Sequence, residues 1–449
     1  MINDLTTGSV GKELLRFSFP FMLSNALQTV YNLVDMVIVG QFVGSAGLTA
    51  VSLGGQITWL LSCLAIGYAS GGQIFISQLV GTRDHEGIRR TIGTLFTAIA
   101  LFSILFTVLG MAVHRPLLGL LNTPAEAMEQ AADYVVVCSA GMFFVYGYNT
   151  VSAVLRGMGD STRPFLFIAI AAIVNVILDL VFVGAMGMES GGAALATVIS
   201  QAASFIISMI YLYIRRESFG FDFKLRSFAM DGKTFKALSY LGLPLTVQTS
   251  AINISMLFVS AGINAYGLVY ASVYGIGSKL TSIMFIITNS ISTASATMFG
   301  QNLGAGKHDR VRQVFWFGNL YCIVFFAVVA VVCLVFPEGI FRLFTQDADV
   351  VANAGHYMIT MVVMFFGFAT MTAGIALING IGNGSLSLIT ALLDGVIVRI
   401  GLCLLLAGPC GMGVWGYFWG NTLAGFVSVI IGDFYYLSGL WKERKLMVG

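Results

Sequence analysis

Residues 28–40 read QTVYNLVDMVIVG, a stretch in which one carboxylate, Asp35, interrupts an apolar helix long enough to cross a bilayer. Holding an ionisable side chain in hydrocarbon is costly, so an acid at this depth is either a helix–helix hydrogen-bonding device or part of a functional site. The remainder of the chain decides between the two.

The 449 residues are 57% hydrophobic and 10% charged, with a mean hydropathy of +0.88. That composition cannot cover a soluble surface and points to an all-α polytopic membrane protein. A net charge of +2, with basic residues scattered over short loops, argues against nucleic acid as a partner. The cysteines, Cys63, Cys138, Cys322, Cys333, Cys403 and Cys410, have irregular spacings that suit neither a disulfide framework nor a metal site, and they read as small core residues. The first apolar run continues from Arg16 to about Phe42, too long for a signal-peptide core, and is expected to remain as a membrane helix.

Cutting the chain at charged or Gly/Pro-rich breaks leaves twelve apolar stretches, at 14–42, 50–80, 90–114, 127–154, 164–186, 191–214, 237–263, 270–302, 311–335, 350–378, 385–407 and 414–438. Each reaches the roughly 20 residues that a spanning helix needs. With the N-terminus inside, 19 of the 23 Lys and Arg residues fall in the tails and in the loops on that side. Such residues favour cytoplasmic loops, so both termini of a multi-pass cytoplasmic-membrane protein are expected inside.

An internal repeat organises these spans. At an offset of 223 residues, Gln78–His85 (QLVGTRDH) matches Gln301–His308 (QNLGAGKH), and Gly157, Gly159 and Asp160 match Gly380, Gly382 and Asn383. Leu120, Ala125, Glu126 and Tyr134 fall on Leu343, Ala348, Asp349 and Tyr357, while Pro20 and Pro244 correspond after a one-residue shift. Six spans per copy make the copies parallel repeats, hence two six-helix lobes, 1–225 and 226–449, with the boundary inside the basic linker Arg215–Lys236. Transporters built this way bind substrate between lobes and alternate access by rocking.

On the first helix Gln28, Tyr31, Asn32 and Asp35 recur at i, i+3, i+4 and i+7 and share a face. On the fifth, Asn175 and Asp179 are one turn apart. Counted from the outer ends of their helices, Asp35, Asp179, Thr197 and Tyr134 lie at one level, roughly 9–12 Å deep at 1.5 Å per residue. Asn149 lies deeper. Two carboxylates facing one cavity repel, and a shared proton relieves the repulsion. The same oxygens, with amide and hydroxyl neighbours, could instead surround Na⁺. The second half does not repeat these acids: Asp179 corresponds to Leu402. It carries Lys279, Asp394 and Arg399 within its spans, where Asp394 is expected to pair with one of the two bases, because unpaired charges there are costly. The loop segments RDHE (83–86) and KHDR (307–310) read as solvated topology signals.

Together, Pro20 with YNLVDMVIVG (31–40), LRGMGDSTRP (155–164), NVILD (175–179) and GGAALATVISQ (191–201) resemble the multidrug and toxic compound extrusion (MATE) family over essentially the whole chain. The resemblance implies a twelve-helix, two-lobed antiporter of the MATE/MOP-type fold. Such a protein, not an enzyme and without a cofactor, exports cationic or amphipathic small molecules in exchange for inward H⁺ or Na⁺. The DinF-like prokaryotic branch places its coupling site in the first lobe, and its positions carry onto Asp35, Asn175, Asp179 and Thr197, with Gln28, Tyr31, Tyr134 and Asn149 nearby. The NorM-like branch also uses acids on the seventh and tenth helices, which this chain lacks. A monomer embedded in the lipid bilayer is expected. A lipid-linked oligosaccharide flippase of the same superfamily is the alternative, although its pyrophosphate headgroup calls for more cavity cations than Lys279 and Arg399. Gly157–Asp160 also spells the GxGD signature of intramembrane aspartyl proteases, but it lacks the partner Tyr-Asp motif and its second-half counterpart ends in Asn383.

Overall fold

The computed structural model describes residues 3–444 and 446. Among them the backbone is helical almost throughout and holds no strand, as a chain must be when lipid offers its backbone groups no partner. The first half comprises α1 (Val10–Phe42), α2 (Ser45–Thr82), α3 (His85–Leu120) and α4, a pair of helices (Ala125–Ala140 and Met142–Gly157) bent by 50° at Gly141. It ends with α5 (Thr162–Asp179, continuing as the π-helical turns Leu180–Ala185) and α6 (Glu189–Ile214).

The second half comprises α7 (Gly232–Asn264), α8 (Leu268–Gly304), α9 (His308–Val335) and α10 (Ala354–Gly380). In α11, Gly384–Leu392 leads through π-helical Leu393–Val398 into Arg399–Ala407, and α12 joins Val414–Ala424 to Phe426–Leu437. Ten described helices are long and apolar enough to cross a membrane, and α4 adds another if its bent pair counts as one span. The remaining helix, α1, is 33 residues long. Its length suffices to span, but its own polar stripe dilutes its apolar character. The all-α, twelve-helix, two-lobed architecture is the one expected.

Several helices outrun the apolar stretches that announced them. The 38 residues of α2 and 37 of α8 make rods of about 55 Å, well beyond a hydrocarbon core of about 30 Å. Capping chemistry that hydropathy does not register also sets helix ends. At the start of α3, for example, Asp84 Oδ1 accepts from the backbone N–H of Gly87 at 2.8 Å.

The chain forms two compact units, one of Phe19–Thr246 with the residues up to Asp4, the other of Leu5–Ser18 with Val247 onward. The division does not fall between residues 225 and 226. It runs through α1 just before Pro20 and through α7 just after Pro244. A proline inside a helix removes one backbone hydrogen bond and crowds the preceding turn, so these are points where a helix can change direction and partner.

In the first unit the opening half of α7 lies directly on α2. A Cβ on Gly71 would meet the Gly242 nitrogen at 2.6 Å, and one on Gly242 would meet Tyr68 Cα at 2.8 Å, so the helices touch backbone to backbone. The segment preceding α7 is tied to α3: Thr97 Oγ1 donates to the Phe228 carbonyl at 2.5 Å, and the Asp231 N–H donates to Thr94 Oγ1 at 3.1 Å.

The second unit repeats this arrangement with the N-terminal arm. Leu5, Leu14 and Phe17 are buried with Phe299, Phe315 and Trp441. Leu5 N–H donates to Gln301 Oε1 at 3.0 Å, and Lys307 Nζ donates to the Thr6 carbonyl at 2.8 Å. Arg310 donates to the carbonyls of Leu5, Thr7 and Gly8 at 3.2, 2.8 and 2.7 Å. The reading of KHDR as a purely solvated signal is therefore corrected: Lys307 and Arg310 hold the arm, an interaction across some three hundred residues of sequence that loop composition does not reveal. Gly242→Val, which forces a branched side chain into the α2 backbone, is expected to cost about 1–3 kcal/mol, measured as a lower midpoint of thermal unfolding in detergent.

Candidate functional site

Asp35 is drawn into the first unit by its own helix. Val34, Ile38 and Val39 flank it and pack with Tyr134, Cys138 and Val183, so the acid enters an apolar cluster. It is 7% exposed, Asn175 is 1% exposed and Asp179 is fully buried. Asn175 and Asp179 occupy one face of α5, with Val176 and Val183 of the same helix in that cluster. Asp179 interacts electrostatically with Asp35, which in turn lies within electrostatic reach of Tyr31, Tyr134 and Cys138.

What distinguishes the cluster is its lack of hydrogen bonding. Asp35 Oδ1, both carboxylate oxygens of Asp179 and both polar atoms of the Asn175 carboxamide are buried with no hydrogen-bond partner. Buried polar groups are nearly always satisfied, because leaving one unpaired forfeits its hydration without return. Four of these five atoms are oxygens, the donor type that hard cations and protons take. Directly after Asp179 the helix widens into its π-helical turns, a local irregularity frequent at functional sites.

The other expected residues divide. Tyr31 and Tyr134 are buried beside the acids. Gln28 Nε2 donates to the Tyr31 hydroxyl at 3.5 Å. Thr197 is half-buried one turn beyond Ala193 and Ala194 of the same cluster, its carbonyl accepting from Ser200 Oγ at 2.8 Å. Asn32 is exposed, since it stands about 60° around the helix from Asp35, at the edge of the stripe. Asn149 turns its amide back on its own helix, donating to the Val145 carbonyl at 2.8 Å. Sequence reasoning missed Gln201, which is buried and hydrogen-bonds Tyr31, and Tyr148, which lies close to it. Gln201 stands one turn beyond Thr197, and that spacing was the available signal.

In the second unit Arg399 Nη2 donates to Asp394 Oδ1 at 2.8 Å. Arg399 Nη1 donates to Asn421 Oδ1 at 2.6 Å, and Ser428 Oγ donates to Asp394 Oδ2 at 2.6 Å. Both charged side chains are more than nine-tenths buried. Lys279 is exposed and takes part in no ion pair among the described residues, so of the two candidate partners of Asp394 it is Arg399 that pairs. The GxGD segment is a helix start: Asp160 Oδ1 accepts from the N–H groups of Thr162 and Arg163 at 3.1 and 3.2 Å, and Asn383 Oδ1 accepts from Leu386 N–H at 3.2 Å in the second copy. Five cysteines are buried and Cys410 is exposed, all of them free. Among the described residues no group of three or more His, Cys, Asp or Glu side chains is placed to hold a metal ion.

A duplicated bundle of membrane-spanning helices, with unsatisfied carboxyl groups inside one unit, is the framework of a transporter. The MatE family model matches residues 20–181 and again 244–405, and the chain belongs to this family. The two matches stand 224 residues apart and reproduce the internal repeat. The chain is 29% identical over 450 residues to "Probable multidrug resistance protein YpnP" of Bacillus subtilis (strain 168), covering 99% of this chain and 98% of that protein. It is 27% identical to "Probable multidrug resistance protein YoeA" of the same organism over 443 residues, covering 98% and 96%. Its fold matches a solved structure described as the outward-facing conformation of a multidrug resistance MATE family transporter of the MOP superfamily, with a TM-score of 0.90, 23% identity and 98% of each chain covered.

The two charged groups of the second half make a contrast that stability measurements read directly. Asp394→Ala leaves a buried guanidinium without its carboxylate and is expected to cost about 3–5 kcal/mol. Lys279→Ala, at an exposed position, is expected to stay within about 0.5 kcal/mol of the parent. Thermal unfolding of the purified variants side by side checks both.

Proposed function

We propose that the protein is a secondary active antiporter that exports amphipathic small molecules, cationic ones above all, across the cytoplasmic membrane in exchange for inward H⁺ or Na⁺. The observation that carries this reading is the group of unpartnered buried atoms on Asp35, Asn175 and Asp179. Without a cation the two carboxylates repel across a medium of low dielectric, and with a proton or Na⁺ between them the repulsion becomes attraction. A ligand shifts a conformational equilibrium only through its different affinity for the two states. A site whose halves lie on α1 and α5 supplies that difference, because its affinity depends on how closely those helices approach. Thr197, Tyr31, Tyr134, Gln28 and Gln201 complete its polar surround, and alternating access of the two units carries the substrate.

The negative character of this interior favours cations, and the multidrug names of YpnP and YoeA support a broad small-molecule substrate range. The acids lie in the first unit while α7 and α10 contain none, which supports the DinF-like assignment over NorM-type coupling. The pairing of Arg399 with Asp394 and the exposure of Lys279 leave little buried positive charge for a pyrophosphate headgroup, which weighs against a flippase. The distribution of Lys and Arg supports cytoplasmic termini, and the protein acts as a monomer without a cofactor.

The test is efflux of a fluorescent organic cation from proteoliposomes under separately imposed Na⁺ and H⁺ gradients. One gradient is expected to drive efflux, and Asp35→Asn and Asp179→Asn are each expected to reduce it at least about tenfold, about 1.4 kcal/mol or more in coupling, with insertion and folding intact. Unimpaired gradient-driven efflux in both variants overturns the coupling role. Binding of lipid-linked pyrophosphates, with neither dye nor Na⁺ bound, overturns the exporter reading.

A further inference from the structure

The two units carry the same donor chemistry in two different states. In the first, carboxylate and carboxamide side chains (Asp35 and Asp179, Asn175) stand with buried oxygens unpartnered, and half-buried Thr197 lies one turn beyond Ala193 of the same cluster. In the second, a carboxylate, a carboxamide and a hydroxyl (Asp394, Asn421, Ser428) converge from α11 and α12 on one another and on a guanidinium. Arg399 donates to the carboxylate and to the carboxamide oxygen, while the Ser428 hydroxyl takes the second carboxylate oxygen.

The local backbone repeats as well. Asp179 ends the regular part of α5 where π-helical turns begin, and Asp394 lies within the π-helical turns of α11 that end at Arg399. These helices are counterparts in the repeat, though the acids are not at aligned positions. The π-helical turns separate the acid from the base, and the two side chains still pair with each other while reaching Ser428 and Asn421 of α12 respectively.

We propose that the Arg399 guanidinium is a built-in cation that permanently fills the carboxylate–carboxamide–hydroxyl site of the second unit, confining ion exchange to the first. The guanidinium is covalently part of the chain, so it does not leave during a transport cycle. Asp394 is therefore neutralised in every state, and the second unit keeps the charge balance that the first acquires only on binding its ion. The consequence for the native protein is a coupling ratio set by the Asp35–Asp179 site. Its consequence for a variant is a latent alkali-cation site, built from Asp394, Asn421 and Ser428, that appears when the guanidinium is removed. The inference rests on the proposed function only in taking Asp35, Asn175 and Asp179 as the exchangeable site.

The experiment uses full-length purified protein in detergent, with Asp35→Asn and Asp179→Asn introduced first so that the first-unit acids are neutral. Thermal unfolding is followed at a pH of about 8 as choline chloride is replaced by NaCl at constant ionic strength, to about 100 mM. The starting variant is expected to show no response. Adding Arg399→Met, which keeps an apolar stem of similar reach, is expected to create an Na⁺-dependent rise in the midpoint of about 2 °C or more. Adding Asp394→Asn to that variant is expected to abolish the rise. A folded Arg399→Met protein indifferent to Na⁺ overturns the proposal, as does an Na⁺ response that survives Asp394→Asn or that is already present in the starting variant and unchanged by Arg399→Met.

Should Arg399→Met fail to fold in either salt, the neutral pair Asp394→Asn with Arg399→Gln, in an otherwise native chain, carries the test. The half-saturating concentration of the driving ion in proteoliposome efflux is expected to stay within about twofold of the parent. A shift of about tenfold or more overturns the proposal, since it places the pair in the exchange itself. The thermal measurement needs no transport, so absence of gradient-driven efflux in the native protein defeats the antiporter reading without deciding the fate of Arg399.

Discussion

In hydrocarbon a polar group has no solvent to fall back on, and the rest of the structure follows from that constraint. The backbone meets it by being helical through every span. Serine and threonine side chains meet it by bonding to carbonyls one turn back in their own helices, as Thr91, Thr150 and Thr390 do. Arg399 and Asp394 meet it by pairing. Other buried polar atoms also go unpaired, singly, but Asp35, Asn175 and Asp179 together contribute five such atoms. Their cost is borne by the apolar packing of Val34, Ile38, Val39 and Val183 around them.

The two halves share loop motifs, broken helices and π-helical turns, yet their buried charge differs in kind. In one half Asp35 and Asp179 stand without a basic partner, while in the other Asp394 is paired with Arg399. A protein in which both halves responded to the same ion would need both to load before either could commit. Here Asp394 is settled by an ion pair to a base of its own helix.

Much of this was legible in the sequence, for identifiable reasons. Asp35, Asn175, Asp179 and Tyr134 could be assembled because depth along a helix follows from residue count and facing follows from periodicity, and both survive folding unchanged. Asn32 fell out because periodicity fixes an angle without fixing where the buried sector ends. Asp394 could be given two candidate partners but no choice between them, since choosing between Lys279 and Arg399 depends on the π-turns of α11, which leave no mark in hydropathy. The exchange of the opening halves of α1 and α7 between units was hidden for a similar reason. Pro20 and Pro244 were seen to correspond, but a proline announces a weak point in a helix and not the destination of the segment beyond it. The arm bonds of Lys307 and Arg310 join residues too far apart in the chain for any local pattern to connect.

That exchange has a consequence for the order in which the protein can be built. The second unit claims Leu5–Ser18, and the partners of that arm begin near Gln301, so this segment can find its place only after residues some three hundred positions later have been made. The first unit in turn needs the opening of α7, up to Thr246, before α2 is covered. Closing so long a loop adds only modestly to its entropic cost, so the burden falls on time and not on final stability. Neither half of the duplicated gene product is thus a finished module by itself. A fragment cut at the basic linker would leave one unit without the opening of α7 and the other without the Leu5–Ser18 arm.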